Sequence, residues 1–307
     1  MDTKDLLKIL ESHQRWLEDP DDDGVRADLS GANLSGVDLK DTILNRANLW
    51  GVNLEGANLK DAYLSGVNLK DANLSGANLA GASLSKANLE GANLSSANLR
   101  GVDLSSAYLK GANLSGAVLM HANLEVSTLE GANLTEAHLE GANLSGAYLK
   151  GANLTGANLR EAHLTGANLK DVILSGAYLR HVDLKDAILR HANFEGAHLP
   201  DFQIPDGDII GWKKIRGDVI VKLRIPKEAK RTGNLVNKKC RAEYADVLSF
   251  SNVVEGVTSI NHIAPMGTKV TYEVGKRVSP DSYNGDIRIA CTHGIHFFLT
   301  REEAESW

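Results

Sequence analysis

Along residues 27–201 the apolar positions recur every fifth residue. Every position ending in 4 or 9 from Leu29 to Leu199 is Leu, except Phe194, which makes 35 units without an insertion. Two residues before each of these stands a small side chain: Ala in 27 units, Val in six, and Thr42 and Ser127 in the others. Neither regular element accommodates a period of five. In an α-helix five residues advance about 500°, so the leucines would spiral around the surface and form no stripe. In a flat strand an odd period throws successive leucines onto opposite faces. A chain that turns a corner once per unit removes the conflict. Each Leu then points to a common axis, and the Ala two residues earlier points the same way with little bulk. Gly, frequent at the end of the unit, suits the corner.

The number of corners per coil is readable in Asn. It stands just before the central apolar residue in 18 of 35 units. Sorted by twenty, Asn fills 33, 53, 73, 93, 113, 133, 153 and 193, with Ile173 the exception; sorted by fifteen it spreads evenly. Twenty residues per coil means four sides. Nearly nine coils at about 4.8 Å each give a rod roughly 40 Å long. Each fully buried Leu contributes about 1.5–3 kcal/mol. The terminal coils expose core and backbone edge, so the ends need caps.

Residues 2–19 predict one cap. Leu6, Leu10, His13 and Leu17 share a helical face, widened by Leu7 and Ile9; Asp2 or Thr3 serves as N-cap and Pro20 as the stop. The four carboxylates between Asp19 and Asp23 lack the ligand order of an EF-hand and read as a solvated linker. After Asp201 the repeat ends. Runs such as Val219–Leu223, Lys269–Val274 and Ile295–Leu299 predict strands, and the Thr300/Glu303 spacing predicts a capped helix from Arg301. The expected organisation is a capping helix and acidic linker over 1–26, a β-helix over 27–201, and a small α+β domain over 202–307.

Stretches such as Ala142-Asn143-Leu144-Ser145-Gly146 resemble the pentapeptide repeat family. The resemblance implies a right-handed quadrilateral parallel β-helix, an all-β solenoid. Segments such as Gly211-Trp212-Lys213-Lys214 and Cys291-Thr292-His293-Gly294-Ile295-His296 are similar to a domain found behind such repeats in bacterial and phage proteins, for which no function is implied. Some members of the family bind type II topoisomerases as DNA mimics, inhibiting or protecting gyrase. That behaviour goes with a strongly acidic rod, often dimerised through a C-terminal helix. Here the repeats hold 18 acidic and 13 basic residues, and a domain follows them.

Composition narrows the classes further. The chain is 43% hydrophobic but only 5% aromatic, as a repetitive core of Leu and Ala requires. A net charge of −6 gives no basic surface for direct nucleic-acid binding. There is no apolar run long enough for a membrane span and no signal-peptide pattern, so a cytoplasmic protein without membrane association is expected. No phosphate loop, metalloprotease motif or nucleophile elbow occurs; no enzyme activity and no cofactor are expected.

What remains is surface. Lys40, Lys60, Arg100, Arg160 and Arg180 fall in one column after the central residue and form a basic stripe, which serves either solubility or recognition of an acidic partner. Val118, Met120, His121 and Val126 replace residues that are usually polar or Gly and flank a single face, as drift or as a docking spot. In the C-terminal domain, Cys291, His293 and His296 have the residue types of a nucleophile–base pair, or of a zinc site completed by Cys240. Structural roles in a compact β domain compete with both. The functional expectation is a non-enzymatic scaffold presenting its faces to a protein partner.

Overall fold

The computed structural model describes residues 2–19, 23–199, 207–232, 239–263, 269–280, 282 and 294–307. Met1–Pro200 and Asp201–Trp307 form separate compact units.

The first unit opens with helix α1, Thr3–Glu18. The Asp2 side chain accepts the Lys4 N–H, satisfying one donor of the first turn. Leu6 and His13 are buried, and Leu10 and Leu17 half-buried. Leu7 is 53% exposed, so the apolar face is narrower than the pattern suggested. Pro20, Asp21 and Asp22 lie outside the described residues, while Asp23 pairs with Arg15 at 2.8 Å. The helix covers the start of the rod through its side chains: Ser12 Oγ accepts the Val25 N–H, and buried His13 Nδ1 accepts the Ala27 N–H, each at 3.0 Å.

Parallel bridges then run from Asp28↔Asn48 to Tyr178↔His198, every one joining residues twenty apart. Five-residue steps and a twenty-residue repeat make four sides per coil. Three backbone hydrogen bonds tie each side to the next coil; Tyr108 N–H to Ala87 C=O (2.9 Å), Leu89 N–H to Tyr108 C=O (2.7 Å) and Gly91 N–H to Lys110 C=O (3.1 Å) are one set. A fourth bond closes each corner, as from Ala92 N–H to Leu89 C=O (3.0 Å). The third residue of that turn has positive φ, the signature of a type II turn. All corner positions from 31 to 196 share it, 19 as Gly and 15 as another residue. Leu and Ala fill the interior, almost all of them wholly buried. Where Thr42 and Ser127 replace the inward Ala, the hydroxyl donates to the carbonyl three residues back at 2.6 Å, which removes the cost of burying it.

The outward residue before each Leu explains the Asn. Asn93 Oδ1 accepts the Ser95 N–H (3.2 Å) and Asn113 Nδ2 (3.1 Å), while Asn93 Nδ2 donates to Asn73 Oδ1 (3.1 Å). One carboxamide thus holds its own corner and both neighbouring coils. Asp occupies the equivalent place at 28 and 38, in the first coil, where no earlier carboxamide needs a donor; both accept from the coil above. Hydrogen bonds from Ser30 and Asn48 hold the Asp28 carboxyl below its ordinary pKa.

The second unit is built of strands β1 (Ile209–Lys214), β2 (Ile220–Ile225), β3 (Arg231–Thr232), β4 (Cys240–Ala242), β5 (Ala245–Ser251), β6 (Ser259–Ile263), β7 (Lys269–Glu273), β8 (Arg277–Val278) and β9 (Ile295–Phe297). They form sheets ordered β1-β2-β5-β8, β3-β4-β9 and β6-β7, with every pair antiparallel. Leu223, Val247, Tyr272 and Phe297 lie in the core. Gly211 is required there: a Cβ would stand 2.5 Å from the Phe297 ring. The expected capping box is present on α2 (Arg301–Ser306), where Thr300 and Glu303 each bond the other's backbone N–H. With a six-residue helix as its helical content among the described residues, this unit is a β domain, not the α+β domain expected. Its strands are short and irregularly spaced, so their number was not apparent in the sequence.

Candidate interaction surfaces

The rod has four sides, A to D in chain order from the first coil. Side A bears outward residues 28 and 30, side B 33 and 35, side C 38 and 40, and side D 43 and 45, each repeating every twenty.

Lys40, Lys60, Arg100, Arg160 and Arg180 all lie on side C, as the spacing required. Their charge is partly matched by the protein itself. Lys40 and Lys60 approach Asp41 and Asp61 at the next corner, at 3.6 and 3.8 Å. The Arg160 guanidinium lies 5.4 Å from the Tyr178 ring centre, and Tyr178 stacks on His198 in the following coil at 4.4 Å. Ala80, Met120 and Glu140 interrupt the column, and Glu140 accepts from Asn158 Nδ2 at 2.6 Å.

The apolar quartet divides over the rod. Val118 and Met120 are half-buried on side C, His121 occupies the corner between C and D, and Val126 the corner between D and A. Glu125 of side D stands between the last two. Val126 faces a different neighbourhood, whose members lie far from it along the chain. Along side A, Tyr108 pairs with Thr128 and Thr128 with Tyr148 in successive coils, beside the Val126 corner. Tyr108 is 57% exposed, Val126 49% and Tyr148 45%. Val126 holds φ +56°. A β-branched residue in the left-handed region is a backbone outlier costing about 1–2 kcal/mol, where Gly or Asn would serve without that cost.

Side A also carries Lys70, Glu90, Lys110, Glu130 and Lys150, alternating in sign one coil apart. Lys70 and Glu90 pair at 3.4 Å. Lys110, Glu130 and Lys150 make no ion pair among the described residues. A depression of about 300 Å³ opens near them, lined by Gly66, Asn68, Lys86, Asn88, Glu90 and Tyr108.

In the C-terminal unit, Cys291 and His293 lie outside the described residues. His296 lies in β9 opposite Arg241, and Cys240 opposite Phe297. Alternation in the strand puts Cys240 and His296 on opposite faces of their sheet, so they cannot share a metal ion. Burial pushes the Cys240 thiol up to about 12, far from a nucleophilic thiolate. His296 is pushed down to about 3, first by burial and then by Lys239, Lys213 and Arg241. Among the described residues no group of three or more His, Cys, Asp or Glu could hold a metal ion.

The pentapeptide repeat model, eight copies long, matches residues 25–61, 62–101, 97–135, 127–166 and 162–199, more than half of the chain. The chain belongs to the pentapeptide repeat family. Membership carries the right-handed sense of the solenoid. Residues 200–304 match a family of unknown function (DUF5758). Among solved structures of pentapeptide repeat proteins, HetL from Nostoc sp. strain PCC 7120, involved in heterocyst differentiation regulation, is 36% identical over 59% of this chain and 88% of its own, with a TM-score of 0.45. A trypsin-treated variant of QnrB1, a plasmid-mediated fluoroquinolone resistance protein, is 21% identical over 58% of this chain and 91% of its own, with a TM-score of 0.51; that likeness is one of fold. No curated protein matches the chain. Among the described residues, no helix of this pentapeptide repeat protein is long and apolar enough to cross a membrane.

Proposed function

We propose that the chain is a non-enzymatic interaction scaffold that engages a protein through side A of its β-helix. One observation carries this reading: Val126 keeps an exposed apolar side chain in a strained left-handed conformation, beside exposed Tyr108 and Tyr148. Corner positions accept Gly without strain, so stability does not account for Val there. Local strain that folding does not require is a pointer to function. Exposed tyrosines framed by charges have the composition of an interface centre and rim. The basic stripe of side C is a second surface, suited to an acidic partner.

The test is binding by full-length protein with side A intact or altered. A partner held by the wild type and lost on Tyr108→Ser with Tyr148→Ser, at unchanged melting temperature, supports the reading. Binding unaffected by that pair, but abolished by Arg100→Glu with Arg160→Glu, moves the function to side C. Gyrase inhibition or protection is the alternative that the family suggests. The mixed charge of these sides disfavours DNA mimicry, and a supercoiling assay responding to sub-micromolar protein would reverse that judgement.

A further inference from the structure

We infer that the protein seated on side A is a second copy of this chain, running antiparallel. The inference rests on the scaffold reading above and names its partner. A two-fold axis lying in the face, across the rod, sets each column of side A against the same column of the other copy, inverted. Place that axis midway between the coils of Glu90 and Lys110. Glu90 then faces Lys110, Lys70 faces Glu130, and Lys150 faces Trp50, each contact occurring twice. Trp50 is 51% exposed and offers its ring to the ammonium. Moving the axis to the next coil in either direction sets Lys110 against its own copy or Glu90 against its own, and pairs like charges along the column. The alternation therefore confines the axis to positions midway between coils; of these, the one between Lys110 and Glu130 also sets Lys70 against Lys170, and the one between Lys70 and Glu90 faces fewer opposite charges, so this alignment is favoured.

Shape follows the same operation, although it concerns different residues. The projecting Val126 corner meets the Gly66 corner, where Gly leaves the surface low. Thr128 meets Asn68, and Tyr108 meets Asn88. Gly66, Asn68 and Asn88 line the 300 Å³ depression on side A, so the other copy's Val126 and Tyr108 enter it. At the opposite edge the facing corners are largely glycine: Gly91 meets Gly111, and Gly51 meets Gly151. Between these pairs Asp71 faces Gly131, so the one side chain standing at this edge of the contact meets a glycine. The arrangement also gives Lys110 and Glu130 ion-pair partners, which they lack among the described residues.

The face is about 40 Å long and one strand segment wide, so the buried area falls at the low end for specific interfaces, and the dimer is taken to be reversible, with a dissociation constant on the order of micromolar. Sedimentation equilibrium of the full chain over about 1–300 µM at low salt brackets such a constant. Mass should rise from that of one chain to twice that value. Glu90→Lys should weaken dimerisation at least about tenfold, because two pairs of like charges then face each other. Combining Glu90→Lys with Lys110→Glu should restore it, which excludes misfolding as the cause of the loss. Gly66→Trp, which fills the depression, should abolish it. A chain monomeric across the range overturns the proposal, as does a dimer indifferent to both charge reversal and Gly66→Trp. If a monomeric chain still loses a foreign partner on Tyr108→Ser with Tyr148→Ser, the scaffold reading stands without the dimer; if it shows neither, both fall.

Discussion

Acidification should loosen the N-terminal cap through His13. The imidazole is wholly buried, with Nδ1 accepting the Ala27 N–H at 3.0 Å and Trp16 stacked 5.5 Å away. Its pKa is lowered from 6.5, first by burial; the Asn45 backbone opposes the shift and Arg26 adds to it. Accepting at Nδ1 requires that atom to be unprotonated, so charging the ring breaks the bond and buries a cation beside Arg26. In the unfolded chain the ring titrates near 6.5. Between the two pKa values the unfolded state binds more protons, so the contribution of His13 is complete above about pH 6.5 and is lost as pH falls. The slope is at most about 1.4 kcal/mol per pH unit, which gives up to about 2 kcal/mol between pH 6.5 and 5. His13→Asn supplies the control: Asn Oδ1 stands where Nδ1 did and does not titrate. Denaturant unfolding measured from about pH 7.5 to 5, with amide exchange at Ala27 as the local probe, should show the wild type losing stability relative to the variant. The comparison cancels His262 and His296, whose lowered pKa values act in the same direction in both proteins. Parallel curves for the two proteins would refute the argument.

Other parts of the molecule give equally direct outcomes. Leu109, fully buried in mid-rod, should cost about 3–5 kcal/mol when changed to Ala, read by denaturant unfolding. Val126→Asn relieves the left-handed strain and should raise stability by up to about 2 kcal/mol; a loss of stability would show that Val126 packing outweighs its backbone cost. Asn93→Asp keeps both acceptor bonds but turns a carboxylate oxygen toward Asn73 Oδ1 in place of the donor, so a loss of about 1–2 kcal/mol at neutral pH is expected, shrinking in acid as the carboxyl protonates. Cys240 should resist alkylation in the native state and react on unfolding, as peptide mass spectrometry would report; rapid native modification would contradict its burial.

What could be read from the sequence follows from how repetition multiplies a weak signal. One Ala-Asn-Leu unit says little, but thirty-five in phase allow only a chain that turns every five residues. The twenty-residue clustering of Asn reflects a real coupling, since Asn53, Asn73, Asn93, Asn113 and Asn133 each donate to the coil before. The capping helix was legible because its face closes on a known end; Leu7 was not, because a single coil offers only a narrow surface to cover. In the second unit, β3 and β8 have two residues each and leave no periodicity to detect. The side A patch is hidden in the sequence for a different reason. Val126 stands near His121 in sequence, yet five residues around this fold is one whole side, and its true neighbours Tyr108 and Tyr148 are about twenty residues away in either direction. In a solenoid, surface chemistry must therefore be read down the columns: residues that look like isolated substitutions along the chain become a face once position i is set beside i+20. Reading in that direction also turns the alternation of Lys and Glu, which along the chain resembles ordinary solubilising charge, into a pattern with a preferred partner and a preferred alignment.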